Sequence, residues 1–425
     1  MPIAHEQARE IARRLARGRA VEGLARLLAP KPESERPFSP PLPASRSWDE
    51  EARQERIAFV EALGGPIPHV AGRAGLVDPE TLRGNIENYI GMAQVPIGVV
   101  GPLRVNGLHA QGDFYVPLAT AEGALVASYD RGVRVMTQAG GASAIVTSEQ
   151  VQRAPGFAFR TLAESALFAQ WLMERFEHMR DIASRRTSHG RLLDASVHLQ
   201  ANHVYLILDY HTGDAAGQNM VTFCTAEICE DIIRSTPFQP EYWFIEANMS
   251  GDKKATALSF ARTRGRNVTA ECTIGRELVE RRLHTTPERM ADYWRMSFVG
   301  GVQTGSIGVS GHIANGLAGL FLATGQDVAC VSEAAVGVTR MEPTSEGDLY
   351  AAVNLPNLIV GTVGGGTRLP TARECLRIMQ CDGDDRAARY AEICASLVLG
   401  GELSIVAALC SGDFAKAHET LGRPR

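Results

Sequence analysis

The stretch RLLDASVHLQANHVYLILDY, residues 191–210, decides the fold. Its two halves are rich in apolar and β-branched residues and flank Ala201-Asn202, a pattern that predicts a β-hairpin. Helical patterns precede and follow the hairpin, and a strand pattern stands outside each helix. The predicted order is strand Phe157–Thr161, helix Ala163–Ala183, strands Arg191–Leu199 and His203–Tyr210, helix Asp214–Arg234 and strand Tyr242–Ala247.

This β-α-β-β-α-β order is that of the ferredoxin-like fold, and it predicts a compact domain inserted at residues 155–249. The sequence on both sides is rich in glycine and alanine, and small residues let helices approach closely. We therefore predict an α+β protein in which residues 85–154 and 250–425 form one large α-rich domain. Its expected elements are a strand at Asp113–Leu118 and helical segments within Ala119–Gln138, Met290–Gly325 and Arg368–His418, the last with a loop near Asp382–Asp385.

The first 84 residues predict a small N-terminal helical region. An amphipathic pattern covers residues 1–30, and several prolines between Pro30 and Pro43 then break it. A second helical pattern covers Asp49–Leu63. We expect two helices joined by a linker.

The bulk composition favours a soluble cytoplasmic protein. The chain has 425 residues, 45% of them hydrophobic, and can bury a large core. Its formal net charge of −5 offers no basic field for nucleic acid. The eight cysteines show no C-x-x-C spacing, which is typical of reduced thiols in the cytoplasm. We find neither an apolar run long enough to span a membrane nor the apolar core of a signal peptide.

Four charged or titratable residues are candidates for chemistry, although each has an ordinary alternative. Only four of the 43 basic residues are lysines, so the pair Lys253-Lys254 is unexpected, yet it also fits a solvated turn. Glu122 follows a strand, where it could simply complement a helix dipole. Asp327 fits a turn that ends a helix, and His418 fits an exposed residue near the C-terminus.

Two glycine-rich segments are candidates for binding a phosphate or a planar ring. Gly213–Met220 stands at the predicted start of a helix, where backbone N–H groups favour an anion. Gly361–Thr367 contains three successive glycines, which permit close approach of a ligand to the backbone. Ordinary turns are the alternative for both. A Rossmann site is not predicted, because no G-x-G-x-x-G follows a strand and opens a helix.

Six segments taken in order resemble the motifs of the 3-hydroxy-3-methylglutaryl-coenzyme A (HMG-CoA) reductase family. The resemblance covers about residues 80–420 and implies a soluble catalytic portion without the membrane anchor that some members carry. Six motifs with similar intervals make it highly specific. They are Glu87–Gly91, Pro117–Gly123, Gly213–Met220, Asp252–Lys254, Gly325–Asp327 and Gly361–Thr367.

The resemblance implies catalytic roles for Glu122, Lys253, Asp327 and His418. The family reduces HMG-CoA to mevalonate and free coenzyme A by two hydride transfers, through a mevaldyl hemithioacetal and mevaldehyde. Lys253 would stabilise the oxyanion, with Asp327 and Glu122 tuning it. Glu122 would donate a proton, so we expect burial to raise its pKa. His418 would protonate the departing thiolate.

The resemblance also implies the binding residues and the partners. Arg153, Lys254 and Asn315 would hold the acyl group, and Arg131 would contact coenzyme A. NADPH is the expected cofactor, with NADH as the alternative, and no metal is implied. The family places its active sites at a dimer interface, so we expect a homodimer or a dimer of dimers. The cofactor residues would be Asp214, Gly217, Asn219, Met220, Gly364 and Gly365.

The chain departs from the family pattern in three places. Glu246 and Ala247 stand where members have serine and glycine, so one substrate contact is not carried over. Gly308–His312 is one residue shorter than its counterpart. Thr187–His189 lacks the arginine expected to bind a 2′-phosphate, which is why NADH stays open as the cofactor.

Overall fold

A ten-stranded, largely antiparallel sheet organises the computed structural model, which describes residue 15 and residues 21–44, 47–75 and 77–414. In chain order its strands are β1 Ile97–Gly107, β2 Gln111–Ala119, β3 Ala142–Arg153, β4 Gly156–Ala158, β5 Arg191–Gln200, β6 His203–His211, β7 Tyr242–Phe244, β8 Gly265–Ile274, β9 Val338–Pro343 and β10 Leu349–Leu358. The strand order is β7-β4-β6-β3-β8-β10-β9, with β1 paired to β2 and β3, and β5 paired to β6.

Helices cover the sheet, so the fold is mixed α/β. The α-helices are α1 Val21–Leu28, α2 Glu50–Gly64, α3 Leu125–Gln138, α4 Leu162–Met173, α5 Phe176–Arg186, α6 Gln218–Ser235, α7 Arg276–Leu283, α8 Pro287–Thr304, α9 Ile313–Thr324, α10 Val331–Ala334, α11 Pro370–Ile378 and α12 Ala387–Ser411. Short 3₁₀ helices lie at Pro79–Leu82, Ala257–Phe260, Val328–Cys330 and Gly365–Arg368.

Strand β3 joins the two parts of the sheet. It pairs with β8 from Ser143 to Gln150, and its first residues run parallel to β1. Its last three residues, ending at Arg153, pair instead with β6. Arg153 therefore lies where the segment predicted as an insert meets the rest of the protein.

The elements predicted around the hairpin are present between β4 and β7. The strands pair in the antiparallel order β5-β6-β4-β7. The single helix predicted over Ala163–Ala183 is in fact two helices, α4 and α5, separated at Arg175. The Arg175 guanidinium stacks on Trp171 and pairs with Asp231 of α6 at 3.1 Å, which fixes the break against the neighbouring helix.

The prediction of an α-rich region outside this segment missed five strands: β1, β3, β8, β9 and β10. Strands β8 and β10 alternate buried and more exposed positions, as half-buried strands do. Alanine, threonine and asparagine occupy many of these positions, so the apolar alternation is weak in the sequence. Packing against α12 decides the structure here.

A buried ion pair on the sheet binds the backbone of the N-terminal region. Arg104 of β1 binds Asp113 of β2 at 2.7 Å, and its guanidinium donates to the backbone carbonyls of Lys31, Arg36 and Pro37. The predicted linker is therefore a fixed segment. Helix α2 confirms the second predicted helix, with the Asp49 carboxylate accepting from Ala52 N. The helix predicted over residues 1–30 is seen as α1, and residues 1–14 and 16–20 lie outside the described residues.

Helix α12 forms the centre of the core. It is long and apolar enough to cross a membrane by composition alone, but 89% of its most apolar window is buried inside the fold. A Cβ on Gly132 of α3 would stand 1.8 Å from the carbonyl oxygen of Gly400, so α3 and α12 touch through their backbones. We assign α12 as a core helix of a globular protein.

A buried carboxylate on α12 holds the turn between β1 and β2. Glu392 accepts hydrogen bonds from the backbone N–H groups of Leu108, His109 and Ala110 at 3.2, 2.8 and 2.7 Å. Burial raises the pKa of Glu392 to about 7, although these N–H groups oppose the rise. Burial likewise raises the pKa of Glu402, which lies further along the same helix, to about 7.

We predict that the free energy of unfolding falls as the pH rises from 4.5 to about 7. The folded protein keeps a proton on Glu392 that the unfolded chain, with its ordinary pKa of 4.5, has already lost. Between those two values each such group lowers the free energy of unfolding by up to about 1.4 kcal/mol per pH unit. Urea unfolding of Glu392→Gln at pH 5, 6 and 7 is expected to give a flatter dependence than wild type. Glu177→Gln, an exposed control, should keep the wild-type slope; an unchanged slope in Glu392→Gln would contradict the assignment.

Candidate functional site

Lys253 lies in a tight turn and reaches an aspartate that is distant in sequence. Its backbone is left-handed, with φ of 55°, and Lys254 N donates to the carbonyl of Gly251 to close the turn. Lys253 Nζ is 2.8 Å from Asp327 Oδ2, and both side chains are 42% exposed. The hydrogen bond that Lys253 donates to the Asp327 carboxylate raises the pKa of Lys253. This ammonium is thus charged, oriented and open to a ligand.

The geometry of Asp327 is fixed by its neighbours. Its carboxylate caps the 3₁₀ helix that follows, accepting from Ala329 N at 3.1 Å. The side-chain amide of Gln326 donates to Gly361 O at 3.0 Å and accepts from Gly361 N at 2.9 Å. Hydrogen bonds between the Gln326 side chain and the Gly361 backbone thereby join the Gly325–Asp327 motif to the Gly361–Thr367 motif.

An ion cluster supports the turn that carries Lys253. Asp252 lies between Arg153 at 3.1 Å and the buried Arg264 at 2.6 Å. Burial alone would raise the pKa of Asp252, but the two arginines prevail and lower it. Arg264 also binds Glu333 at 2.8 Å. No sequence pattern distinguishes Arg264 from the other arginines, or Glu333 from the other glutamates.

Arg153 is engaged by carboxylates of its own chain. It is 7% exposed, and its Nη1 binds Asp252 and also Glu246 Oε2 at 3.3 Å. Its Nη2 donates to the carbonyl of Gln218 over a long 3.4 Å. Lys254 stands on the exposed side of the turn, where its Nζ donates to the carbonyl of Asp252 at 3.0 Å.

Glu122 lies in a turn before α3 and not in the helix itself. Ala124, with φ of 69°, separates it from the helix. Asn315 Nδ2 donates to Glu122 Oε1 at 3.3 Å, so these two predicted site residues meet. Glu122 is exposed in the described part of the chain, so the burial that we expected around it is not found there.

The two pairs of predicted residues lie near opposite ends of α9. Asn315 belongs to its first turn, whereas Asp327 follows its last residue, Thr324. Twelve residues of helix span roughly 18 Å, which side chains from the two ends do not bridge. Lys253-Asp327 and Glu122-Asn315 are therefore separate pairs within one chain. His418 lies outside the described residues.

Arg131 on α3 binds the core helix. Its Nε donates to Ser404 Oγ at 3.1 Å, and a second nitrogen donates to the Ser404 carbonyl. Burial lowers the pKa of Arg131, with Asp413 opposing that shift. The side chain is partly exposed beside the final turns of α12.

The two glycine-rich segments pack against each other. Thr362 N donates to the carbonyl of Asp214 at 2.8 Å. The Asp214 carboxylate accepts from Asp385 N at 2.7 Å and Ala387 N at 2.9 Å, and so caps the start of α12. Asp214 thus positions the segment, an interaction that sequence inspection did not indicate.

Open backbone remains at the exposed faces of both segments. Gly364 and Gly365 have positive φ values of 75° and 52°, and a Cβ on either would meet nothing within 4 Å. Gly217, with φ of 75°, precedes α6 and packs closely against the side chain of Thr212. Asn219 is exposed in the first turn, while Met220 packs against the core. These features fit a phosphate-bearing or planar ligand.

Comparison with known proteins gives one consistent family. The family model described as hydroxymethylglutaryl-coenzyme A reductase matches residues 52–423. The chain is 42% identical over 377 residues to the 3-hydroxy-3-methylglutaryl-coenzyme A reductase of Pyrococcus abyssi, covering 87% of this chain and 91% of that one. It is 43% identical over 378 residues to that of Methanothermobacter thermautotrophicus, with coverage of 88% and 94%.

A solved structure supports the fold. The class II 3-hydroxy-3-methylglutaryl-CoA reductase from Streptococcus pneumoniae, bound to NADPH in open conformations, superposes with a TM-score of 0.68. The match covers 85% of this chain and 99% of that chain at 19% identity. At this identity the likeness is one of fold.

We predict that Asp327→Asn lowers the pKa of Lys253. The substitution removes the negative charge but keeps an oxygen within reach of Nζ, so the ammonium loses its main stabilising interaction. The measurement is the pH dependence of Lys253 acylation by an amine reagent, read by peptide mass spectrometry. Lys254, which binds a backbone carbonyl, is the internal control. An unchanged Lys253 profile would show that Asp327 does not tune it.

Proposed function

The chain belongs to the hydroxymethylglutaryl-coenzyme A reductase family, and we propose that Lys253 is the catalytic ammonium of its active site. The activity is the reduction of HMG-CoA to mevalonate and free coenzyme A, with a nicotinamide cofactor as hydride donor. The observation that carries the assignment of the site is the 2.8 Å contact of Lys253 Nζ with Asp327 Oδ2. It joins two family motifs that are more than seventy positions apart in the sequence.

Lys253 acts on the oxygen that becomes negative. Hydride addition to a thioester or aldehyde carbonyl places negative charge on that oxygen, and a fixed ammonium stabilises it in both reductions. Asp327 keeps Lys253 protonated and aimed, since it raises the lysine pKa. The buried Asp252-Arg264 pair holds the turn, so that little reorganisation is needed.

Glu122 and His418 carry the protons. We assign Glu122 as the acid that protonates the substrate oxygen, oriented by the amide of Asn315. Closure of the site around bound substrate would supply the burial that the isolated chain does not. We assign His418 as the donor to the departing coenzyme A thiolate, which prevents the thiolate from adding back to the aldehyde.

The acyl-coenzyme A site follows from four residues. Arg153 and Lys254 offer positive charge for the free carboxylate of the acyl group, and Asn315 offers an amide to the acyl oxygen. Arg131 stands at the edge of α12 and would contact coenzyme A. Arg153 and Lys254 both contact Asp252, and Asn315 contacts Glu122. These contacts hold the three side chains in place.

The segment of residues 155–249 is proposed as a ferredoxin-like cofactor-binding domain inserted between 85–154 and 250–425, with 1–84 as a separate helical region. The strand order β5-β6-β4-β7 supports it. A bound nicotinamide dinucleotide would supply the hydride. The exposed backbone of Gly364 and Gly365, the start of α6 at Gly217, and Asn219 and Met220 would hold it, with Asp214 positioning the segment.

We propose NADPH as the cofactor, with NADH as the alternative. The turn at Thr187–His189 offers no arginine, and Arg186 beside it is paired with Glu227 at 3.1 Å. Arg185 and His189 are then the candidates for reading a 2′-phosphate. The eight cysteines are free and buried, which supports a reducing, cytoplasmic location.

The experiment that tests this function follows cofactor oxidation and free thiol with HMG-CoA and either NADPH or NADH. Two cofactors are expected to be consumed for each thiol released. Lys253→Ala should abolish reduction of both HMG-CoA and mevaldehyde while keeping its melting temperature, because the oxyanion loses its counter-charge. Lys253→Arg, which keeps the charge in a different geometry, should retain little activity. Folded wild-type protein that turns over neither cofactor would refute the function.

A second candidate function is reduction of a different branched acyl-coenzyme A on the same scaffold. The contact between Glu246 and Arg153 favours it, because a carboxylate of the chain already occupies the arginine proposed for the substrate. The assay with alternative thioesters described below separates the two.

We propose that the active site is shared by two subunits of a homodimer, which could pair further into a dimer of dimers. Within one chain, Glu122 and Lys253 lie near opposite ends of α9, so a two-fold axis that sets the start of one α9 beside the end of another would unite them. The segment that contains Glu87–Gly91 supports an interface, because it exposes four apolar side chains: Ile86, Ile90, Met92 and Val95.

Mixing two inactive variants tests the shared site. Glu122→Gln and Lys253→Ala should each be inactive alone, because every site lacks one group. After dissociation and reassociation, random pairing should restore about a quarter of wild-type activity, since half the dimers then contain one intact site. Glu122→Gln mixed with Glu122→Ala is the control and should stay inactive. Failure of the first mixture, with mixed dimers confirmed by mass spectrometry, would place both groups in one subunit.

A further inference from the structure

Glu246 is held by four donors in the loop that leads to Lys253. Its Oε2 accepts from Arg153 Nη1 at 3.3 Å, from Ala154 N at 3.3 Å and from Ser250 Oγ at 3.0 Å. Its Oε1 accepts from Asn248 N at 2.8 Å. A guanidinium, two backbone N–H groups and a hydroxyl are the donors that a bound carboxylate requires. In this structure the carboxylate bound by these four donors is the side chain of Glu246.

The contact with Glu246 leaves part of the hydrogen-bonding capacity of the Arg153 guanidinium unused. Its Nη1 serves both Glu246 and Asp252, and its Nη2 makes one long bond. Its Nε is buried and has no hydrogen-bond partner among the described residues. A buried guanidinium gains most from a carboxylate that takes two parallel hydrogen bonds. The arginine is therefore not saturated by the chain.

The local charge also opposes an incoming anion. The cluster contains two arginines, Arg153 and Arg264, and three carboxyl groups, Asp252, Glu246 and Glu333. The three carboxyl groups outnumber the two guanidinium groups, and burial, which raises the pKa of Glu333, only reduces this excess of negative charge. A carboxylate on the substrate would add uncompensated negative charge unless Glu246 left Arg153.

We propose that Glu246 sets the charge preference of the acyl pocket by competing with a substrate carboxylate for Arg153. The inference rests on the proposed function, which places the free carboxylate of the acyl group at Arg153. A substrate with a terminal carboxylate must displace Glu246, whereas an uncharged acyl group of the same shape need not. Glu246 thus weakens the discrimination in favour of a carboxylate-bearing thioester.

The test compares two thioesters with wild type and Glu246→Gln. One is HMG-CoA, and the other is the same molecule with its free carboxylate replaced by a carboxamide. Glutamine keeps an oxygen for Asn248 N but removes the charge. The ratio of kcat/KM for HMG-CoA to that for the amide should rise about tenfold in the variant, mainly through a lower KM for HMG-CoA. An unchanged or smaller ratio would overturn the proposal.

Two further variants separate competition from a structural role. In an Arg153→Met background, Glu246→Gln should no longer change the ratio, because the group they compete for is gone. Glu241→Gln, which removes a charge from an exposed pair with Arg160 in the same region, should leave the ratio at its wild-type value. If Glu246 only held the loop, both thioesters would lose kcat/KM equally and the melting temperature would fall, and the proposal would be wrong.

A binding measurement keeps the inference separate from catalysis. Calorimetric titration with free 3-hydroxy-3-methylglutarate and with its diamide, which has no carboxylate, needs no turnover, so it stands even if the wild type reduces neither thioester and the proposed function fails. Glu246→Gln should bind the dicarboxylate about tenfold more tightly than wild type and the diamide with unchanged affinity. Equal affinities of both proteins for the dicarboxylate would refute the competition.

Discussion

The site depends on the salt bridge of Asp252 with Arg264. Arg264 is fully buried immediately before β8, and Asp252 belongs to the turn that presents Lys253. Through its second oxygen Asp252 also binds Arg153 at the end of β3. One carboxylate therefore ties together two central strands and the candidate catalytic turn. Arg264 also binds Glu333, so the pair belongs to a connected ion network and the turn has little freedom to adopt another shape.

The fold was predictable where local patterns were strong. The hairpin of β5 and β6 was placed to within a residue, because its alternation is clear and Ala201-Asn202 marks the turn. Strands β8 and β10 were missed, since their side chains are small or polar and only burial against α12 makes them strands. The Arg175 break between α4 and α5 depends on a contact with Asp231, more than fifty residues away, which no local pattern contains.

Some residues of the candidate site were likewise predictable from the sequence, and others were not. Lys253 could be singled out because lysine is scarce in this chain, and family motifs connected it with Asp327 before any distance was known. Arg264 and Glu333 could not, since each is one of many residues of its kind and only burial distinguishes them. The exposed position of Glu122 was not predicted. Its surroundings depend on α9, which brings Asn315 to it from almost two hundred residues away.

The cap that Asp214 places on α12 has a mechanical consequence. Its two charge-assisted hydrogen bonds join the glycine-rich edge of the 155–249 segment to a 25-residue helix at the centre of the core. That edge cannot shift unless the bonds break or the core helix moves with it. The glycine-rich segment and the core helix are therefore coupled, so a displacement of either one is transmitted to the other.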